Sequence, residues 1–188
     1  MATAPFKITI HMVSSLDGII AKKDNSVSWF ETSDHYEQGI ELTEQDTTEF
    51  LKTIDCYVMG ARTYEHALEL SRSYGWAYGD VPVIVVTQRN LPVERQNIEL
   101  YSGDLNTLVN KRLKPNYNNV WLVGGAMLTA AFIRLQLADE LRLSVIPIIL
   151  GEGTPFLDQV GHEQALHLKA VTAYKSGMVE LWYEIKKG

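Results

Sequence analysis

Apolar and polar positions alternate near the start of the chain. Phe6, Ile8, Ile10 and Met12 interleave with Lys7, Thr9 and His11, which predicts a strand with one core-facing side. Residues 14–18 turn on an Asp-Gly pair, and Ile19-Ile20-Ala21 is a short apolar run behind the turn. A polar loop over 22–33 carries Lys22, Lys23 and Asp24, then two large aromatics, Trp29 and Phe30. From 34 to 52 the pattern is helical but uneven, with a break or second start at Gly39. Thr43 and Asp46 there resemble a capping pair, and Phe50, Leu51 and Ile54 form the buried stripe. Residues 56–59 read as a second strand, which Gly60-Ala61-Arg62-Thr63-Tyr64 turns into a helix running to about Ser71. A loop holding Tyr74, Trp76 and Tyr78 leads past Pro82 into a strand over 83–87 that ends in Gln88-Arg89-Asn90.

The second half repeats this alternation. Residues 98–101 form a short strand, and Asp104 caps a helix that runs to about Leu113 and closes at Pro115-Asn116. Residues 120–123 are an apolar strand that breaks at Gly124-Gly125. It restarts as a helix in which Met127, Leu128, Ala131, Phe132 and Leu135 recur at helical spacing. A strand over 141–146 meets Pro147 at an edge or bulge, 151–155 is a loop, and 167–174 with 178–185 form a hairpin joined at Ser176-Gly177. Strands alternating with helices imply right-handed βαβ units and a mainly parallel sheet. The C-terminal hairpin adds antiparallel strands, so the sheet is mixed. No linker interrupts residues 1–188, which read as one α/β domain.

Composition narrows the setting. With 46% hydrophobic and 21% charged residues, the chain has the make-up of a globular protein. A net charge of −6 argues against a nucleic-acid surface while leaving room for a local basic pocket. The lone cysteine, Cys56, sits in an apolar strand; it permits no internal disulfide and suits a reducing compartment. No basic-then-apolar leader opens the chain and no apolar run reaches membrane-spanning length, so the expected location is the cytoplasm. The five histidines are scattered without metal-ligand spacing, and no G-x-S-x-G elbow is present.

The candidate chemistry lies where strands become helices. Paired glycines remove two side chains, and a helix start offers unpaired N–H groups and the positive end of a dipole. Gly124-Gly125 is therefore either a phosphate rest or a tight turn that lets a helix pack close to the sheet. Two more strand ends carry similar equipment, Gly60-Ala61-Arg62-Thr63 and Thr87-Gln88-Arg89. In an open sheet ligands bind beyond the carboxyl ends of the strands. Two helix starts and two arginines on one edge suit a ligand with several phosphates, such as a dinucleotide.

The segments Ser15-Leu-Asp-Gly-Ile-Ile-Ala21, Tyr57-Val-Met-Gly-Ala-Arg-Thr-Tyr64, Val85-Val-Thr-Gln88 and Trp121-Leu-Val-Gly-Gly-Ala126 fall in the order seen in dihydrofolate reductases. They resemble more closely the reductase domain of the riboflavin-pathway deaminase–reductase. That resemblance implies a dihydrofolate-reductase-like three-layer α/β sandwich with NADPH laid across the strand ends. Under it Gly124, Gly125, Ala126, Met127 and Leu128 hold the pyrophosphate and adjoining nicotinamide side. Gly60 leads into Arg62 and Thr63, which begin the second helix at the pyrophosphate. Thr87, Gln88 and Arg89 meet the adenosine ribose and its 2′-phosphate, and Ile20 and Ala21 lie near the nicotinamide. It also implies a cis Gly124–Gly125 peptide.

On the substrate side, dihydrofolate reductases carry an acid four residues before a phenylalanine on the first long helix. Asp46 and Phe50 match that spacing. Asp46 is accordingly the candidate catalytic residue, relaying a proton or gripping an amino-pyrimidine edge if a partly apolar cleft raises its pKa, with Glu49 as fallback. The alternative is that Asp46 caps its helix. Ser28-Trp29-Phe30 resembles the loop that borders substrate in the riboflavin-pathway reductase, making Trp29 and Phe30 substrate walls. Departures are visible too: Ile19 stands where that family has a lysine, and Glu31 and Asp34 where it has basic residues. The zinc deaminase signature is missing. The reading is an NADPH-dependent reductase of a pyrimidine- or pterin-like heterocycle, with a small-molecule substrate and no nucleic-acid or membrane partner. The resemblance and the many aromatics are consistent with a homodimer. Its rivals are a dihydrofolate or other pterin reductase, and a non-catalytic nucleotide-binding module.

Overall fold

The sheet is laid out around its longest strand. In the computed structural model, which describes residues 5–188, β1 (Lys7–Ser15) sits near the middle with Ile8 and Ile10 fully buried. Parallel to it on one side is β6 (Asn119–Gly124), followed by β3 (Cys56–Gly60), β4 (Val83–Val86) and β5 (Ile98–Tyr101). On its other side lies parallel β7 (Glu140–Ile146), then β10 (Val179–Ile185) and β9 (Leu166–Ala173), an antiparallel pair. A separate ribbon pairs β2 (Ile19–Ala21) with β8 (Thr154–Pro155). The mixed, mainly parallel sheet with its C-terminal antiparallel pair is the architecture expected.

Strand periodicity sends alternate side chains to opposite faces, and helices cover both. On one face Ile8, Ile10, Cys56, Val58, Val120 and Leu122 pack with Phe132 and Ile133 of α5 (Ala126–Arg134). A helical run completes that layer: α3 (Leu105–Leu108), a π turn (Val109–Leu113) and α4 (Lys114–Asn116). Asp104 caps the run, its carboxylate accepting from the Thr107 N–H at 2.8 Å. On the other face Tyr57, Met59, Val83 and Val85 pack against Tyr64 and Leu68 of α2 (Ala61–Tyr74).

Three sequence expectations need correction. The helical pattern over 34–52 yields only α1 (Glu44–Leu51). Residues 36–40 instead hydrogen-bond with the turn between β9 and β10: Tyr36 N–H to Lys175 C=O at 2.8 Å, Ile40 N–H to Ala173 C=O at 2.9 Å, and Lys175 N–H to Ile40 C=O at 2.9 Å. These long-range partners satisfy the backbone in place of helical ones, so tertiary contact overrides local pattern. α1 also buries nothing fully; deep burial begins only at Ile54. In α5 the buried stripe is Thr129, Ala130, Phe132 and Ile133, while Met127, expected in it, is 73% exposed.

Gly39 marks the tightest point of the docked segment, since a Cβ there would fall on the backbone of Tyr174 and Lys175. Gly39→Ala should therefore lower unfolding free energy by about 1–3 kcal/mol, because backbone cannot yield as a flexible side chain does. Chemical denaturation checks it; an unchanged midpoint would show that residues 34–43 are not anchored there.

Candidate active site

Three glycine- or arginine-bearing strand ends lie side by side. β4, β3 and β6 are neighbours, with Gly60 level with Val86 and Met59 level with Gly124. Gly124 has φ +117, and a Cβ on it would stand 2.9 Å from Met12 Cε, so the position requires glycine. The Gly124–Gly125 peptide is cis, as the resemblance implies. Gly125 caps α5 and Gly60 caps α2, and neither helix start has a side-chain cap. Their first-turn N–H groups remain open to a ligand. A Cβ on Gly60 would meet Gly124 O at 3.7 Å, Gly125 N at 3.8 Å and Leu128 Cβ at 4.0 Å; one on Gly125 would meet Thr63 Oγ1 at 3.5 Å. Gly60, Thr63, Gly124, Gly125 and Leu128 are thus brought to one point, where two uncapped helix starts face a bare backbone. That arrangement suits a pyrophosphate.

Beyond β4 the chain turns through Thr87, whose hydroxyl accepts the Arg89 N–H at 2.9 Å. Thr87, Gln88, Arg89, Asn90, Leu100 and Ser102 line a cavity of about 230 Å³. Arg89 is not free: its Nη1 and Nη2 donate to Glu65 Oε2 and Oε1 at 2.9 and 2.5 Å. The Arg89 hydrogen bond, joined by the charge of Arg62, holds the Glu65 carboxyl below the usual range. Arg62 itself is exposed on the first turn of α2, as is Met127 on α5. Ala126 accepts through its carbonyl from Asp158 N–H at 3.4 Å.

Ile20 packs against the main core, and Ala21 pairs with Thr154. That ribbon is pinned by Asp17, which accepts from the Ser15 hydroxyl at 2.6 Å and from the N–H groups of Leu150 and Gly151 at 3.0 and 2.7 Å. Those bonds, the Ser15 hydroxyl first, bring its pKa down to about 2, and its role is structural.

The substrate-side candidates separate. Trp29 is 4% exposed with its indole N–H unpartnered, and Phe30 is 41% exposed, edge-on to it at 4.7 Å. Asp46 sits in a capping box. It accepts from the Thr43 hydroxyl and N–H at 2.6 and 3.0 Å, while its own N–H donates to the Thr43 hydroxyl at 3.1 Å. These bonds lower its pKa, and the residue is exposed. The expected rise in a partly apolar cleft is therefore corrected: the carboxylate is ionised and facing solvent. Glu49 is exposed too and pairs with Lys52 at 2.8 Å.

Phe50 alone of the α1 candidates reaches the sheet, into a polar–aromatic cluster the sequence reading missed. His11 stacks on Trp121 at 4.8 Å and meets Phe50 edge-on at 5.5 Å. The Arg142 guanidinium lies 4.8 Å from the Phe50 ring and 4.9 Å from Trp182, and donates to Glu180 at 2.5 Å. Glu140 accepts from Lys169 at 2.5 Å and from the Trp182 indole at 3.1 Å. A cavity of about 240 Å³ opens among these side chains. Burial first, then the Arg142 charge, lowers the His11 pKa to about 3, so the imidazole is neutral, with Nδ1 unpartnered. The signal was present in the alternation: Thr9 and His11, Trp121, Glu140 and Arg142, and Glu180 and Trp182 occupy one face of adjoining strands.

Comparison with known proteins gives a consistent picture. A family model described as the RibD C-terminal domain matches residues 6–180. The Bacillus subtilis (strain 168) protein YwjB is 28% identical over 178 residues, covering 94% of this chain and 97% of YwjB. YyaP of the same organism is 28% identical over 188 residues, covering 94% of each. Among solved structures, a Shewanella sp. PV-4 protein named for riboflavin biosynthesis superposes with TM-score 0.80 at 22% identity, over 96% of this chain and 99% of that one. A Thermotoga maritima diaminohydroxyphosphoribosylaminopyrimidine deaminase/5-amino-6-(5-phosphoribosylamino)uracil reductase gives 0.67 at 15% identity, over 97% of this chain and 57% of that one. At these identities the structural likeness shows the fold.

His11 gives the site a pH signature. Its folded pKa lies below the unfolded value of 6.5, so between 6.5 and about 3 the unfolded chain binds the extra proton. The associated stability is present above pH 6.5 and is lost as pH falls towards 3, with a slope approaching about 1.4 kcal/mol per pH unit. Asp17 and Glu140, whose pKa values are lowered from 3.8 and 4.5, act at more acidic pH. His11→Phe should flatten the stability profile between pH 6.5 and 5. An unchanged slope in denaturation experiments across that window would discard the assignment.

Proposed function

This chain belongs to the RibD C-terminal domain family, and from that premise we propose that it is an NADPH-dependent reductase of a pyrimidine- or pterin-like heterocycle, of the riboflavin-pathway type. The observation that carries the reading is the meeting of two uncapped helix starts over Gly60, Gly124 and Gly125 on adjacent strands. A backbone cradle there, continued along the edge by Thr87, Gln88 and Arg89, has the reach and charge pattern of a phosphorylated dinucleotide. When bound, NADPH supplies the hydride. The protein's part is orientation: Gly124, Gly125 and Thr63 receive the pyrophosphate, Arg62 adds charge nearby, and Ile20 and Ala21 border the nicotinamide. Phe30, half-exposed over the buried Trp29, is the ring the loop offers to substrate, and Phe50 is the ring α1 offers.

One observation favours this reading over a dihydrofolate reductase. The acid expected to grip an amino-pyrimidine, Asp46, is bound into its capping box, and the fallback Glu49 pairs with Lys52. The nearest polar groups on the sheet face beneath Phe50 are His11 and Arg142. A substrate offering hydrogen-bond acceptors to a guanidinium suits that face better than one that needs a carboxylate partner.

Titration of the purified chain with NADPH tests the proposal. The cradle is probed by Gly60→Ala, whose methyl meets only ordinary contacts in the protein but projects between the two helix starts. The variant should keep its melting temperature while NADPH affinity falls by about ten-fold, the loss of about 1.4 kcal/mol of backbone contact. Undiminished affinity in the variant, or no micromolar NADPH binding by the parent chain, would overturn the reading. Oxidation of NADPH with a ribosylamino-pyrimidine and not with dihydrofolate would fix the substrate class.

A further inference from the structure

Arg89 reaches the edge of the adenosine-side cavity with both terminal nitrogens already engaged. Nη1 and Nη2 grip the two carboxylate oxygens of Glu65, one turn into α2, in a bidentate pair. A guanidinium fork presents that geometry to one planar or tetrahedral anion at a time. We propose that Glu65 sets the cofactor preference of this site. Its carboxylate occupies the face of Arg89 that a 2′-phosphate would take, so a phosphorylated cofactor binds by displacing it, whereas the same carboxylate accepts a 2′-hydroxyl. The inference rests on the cofactor reading above and adds to it a residue that opposes the phosphate.

The surroundings support exchange between the two partners. The side chains of Arg89 and Glu65 are 57% and 41% exposed, so the pair is solvent-screened and opens at small cost. Arg62 lies three residues before Glu65 on α2 and also draws its carboxylate. When Glu65 swings away, both arginines are left to an incoming phosphate. While it stays, an anionic phosphate meets a like charge on its intended partner. The other side chains lining this cavity, Thr87, Gln88, Asn90, Leu100 and Ser102, carry no formal charge, so the choice falls to the Glu65–Arg89 pair. An acid that receives the ribose 2′-hydroxyl is the usual mark of preference for the unphosphorylated cofactor, and an arginine the mark of the phosphorylated one. Here both are present and bound to each other.

The experiment is calorimetric titration of the full chain and of Glu65→Gln and Arg89→Ala with NADPH and NADH, with melting temperatures recorded for each protein. Glu65→Gln should tighten NADPH about five-fold and leave NADH unchanged or weaker, as expected for removal of a competing exposed ion pair and its repulsion. Arg89→Ala should bring the two affinities together. If the NADPH-to-NADH ratio in Glu65→Gln stays within about two-fold of the parent, or falls, the role of Glu65 is overturned while the cofactor reading stands. If the parent chain binds neither nucleotide, the cofactor reading falls and this inference with it.

Discussion

The architecture depends on how closely two helices can start beside one another. α2 and α5 leave from β3 and β6, which are hydrogen-bonded neighbours, so their first turns must pass within van der Waals reach. Side chains at Gly60 and Gly125 would occupy the gap between them, and one at Gly124 would strike Met12 and require φ +117. Glycine at 124 answers a backbone and packing demand, while glycine at 60 and 125 leaves bare backbone between the two helix starts. Because no side chain caps either helix, the open N–H groups and the dipoles point into the same small volume.

The two faces of the sheet then divide the labour. One face is sealed by α5 and by the run from α3 to α4 over an aliphatic core that reaches from β4 to β10. The other face changes character along the sheet. Under α2 it is apolar, with Tyr57, Met59, Val83 and Val85. From β6 to β10 it carries Trp121, His11, Arg142, Glu140, Glu180 and Trp182, roofed in part by Phe50. Buried charge is tolerated there because nearly every member is paired: Glu140 with two lysines and an indole, Arg142 with Glu180 and two aromatic rings. His11 has Nε2 3.6 Å from Glu180 and Nδ1 unpartnered, and its neutral form follows from burial first and the Arg142 charge second.

Much of this was legible in the chain itself. The strand alternation, the strand–glycine–helix junctions and the C-terminal hairpin are local patterns, and local patterns place elements well when packing agrees with them. Three features were not legible for a shared reason: each depends on a partner far away in sequence. The 34–43 segment looked helical because nothing in it announces the Ala173 and Lys175 backbone groups that claim its hydrogen bonds. Arg89 read as a free phosphate ligand because Glu65 lies 24 residues earlier on another element. The His11 cluster draws one or two residues from each of four strands, so no window of sequence contains it.

Asp46 shows the opposite lesson. The Asp46-to-Phe50 spacing fits a substrate-gripping acid, and Thr43-to-Asp46 fits a capping box; the two share the carboxylate, and geometry admits only one. α1 is short and has no fully buried residue, so it leans heavily on its cap for definition. With its carboxylate fixed at the helix end, Asp46 is withdrawn from the role that its spacing to Phe50 suggested. His11, uncharged and with Nδ1 unpartnered, lies beside Phe50 on the sheet face, its Nε2 3.6 Å from Glu180 Oε2. A neutral imidazole there can accept one hydrogen bond but carries no charge of its own, so the spacing of Asp46 to Phe50 finds no replacement acid in it.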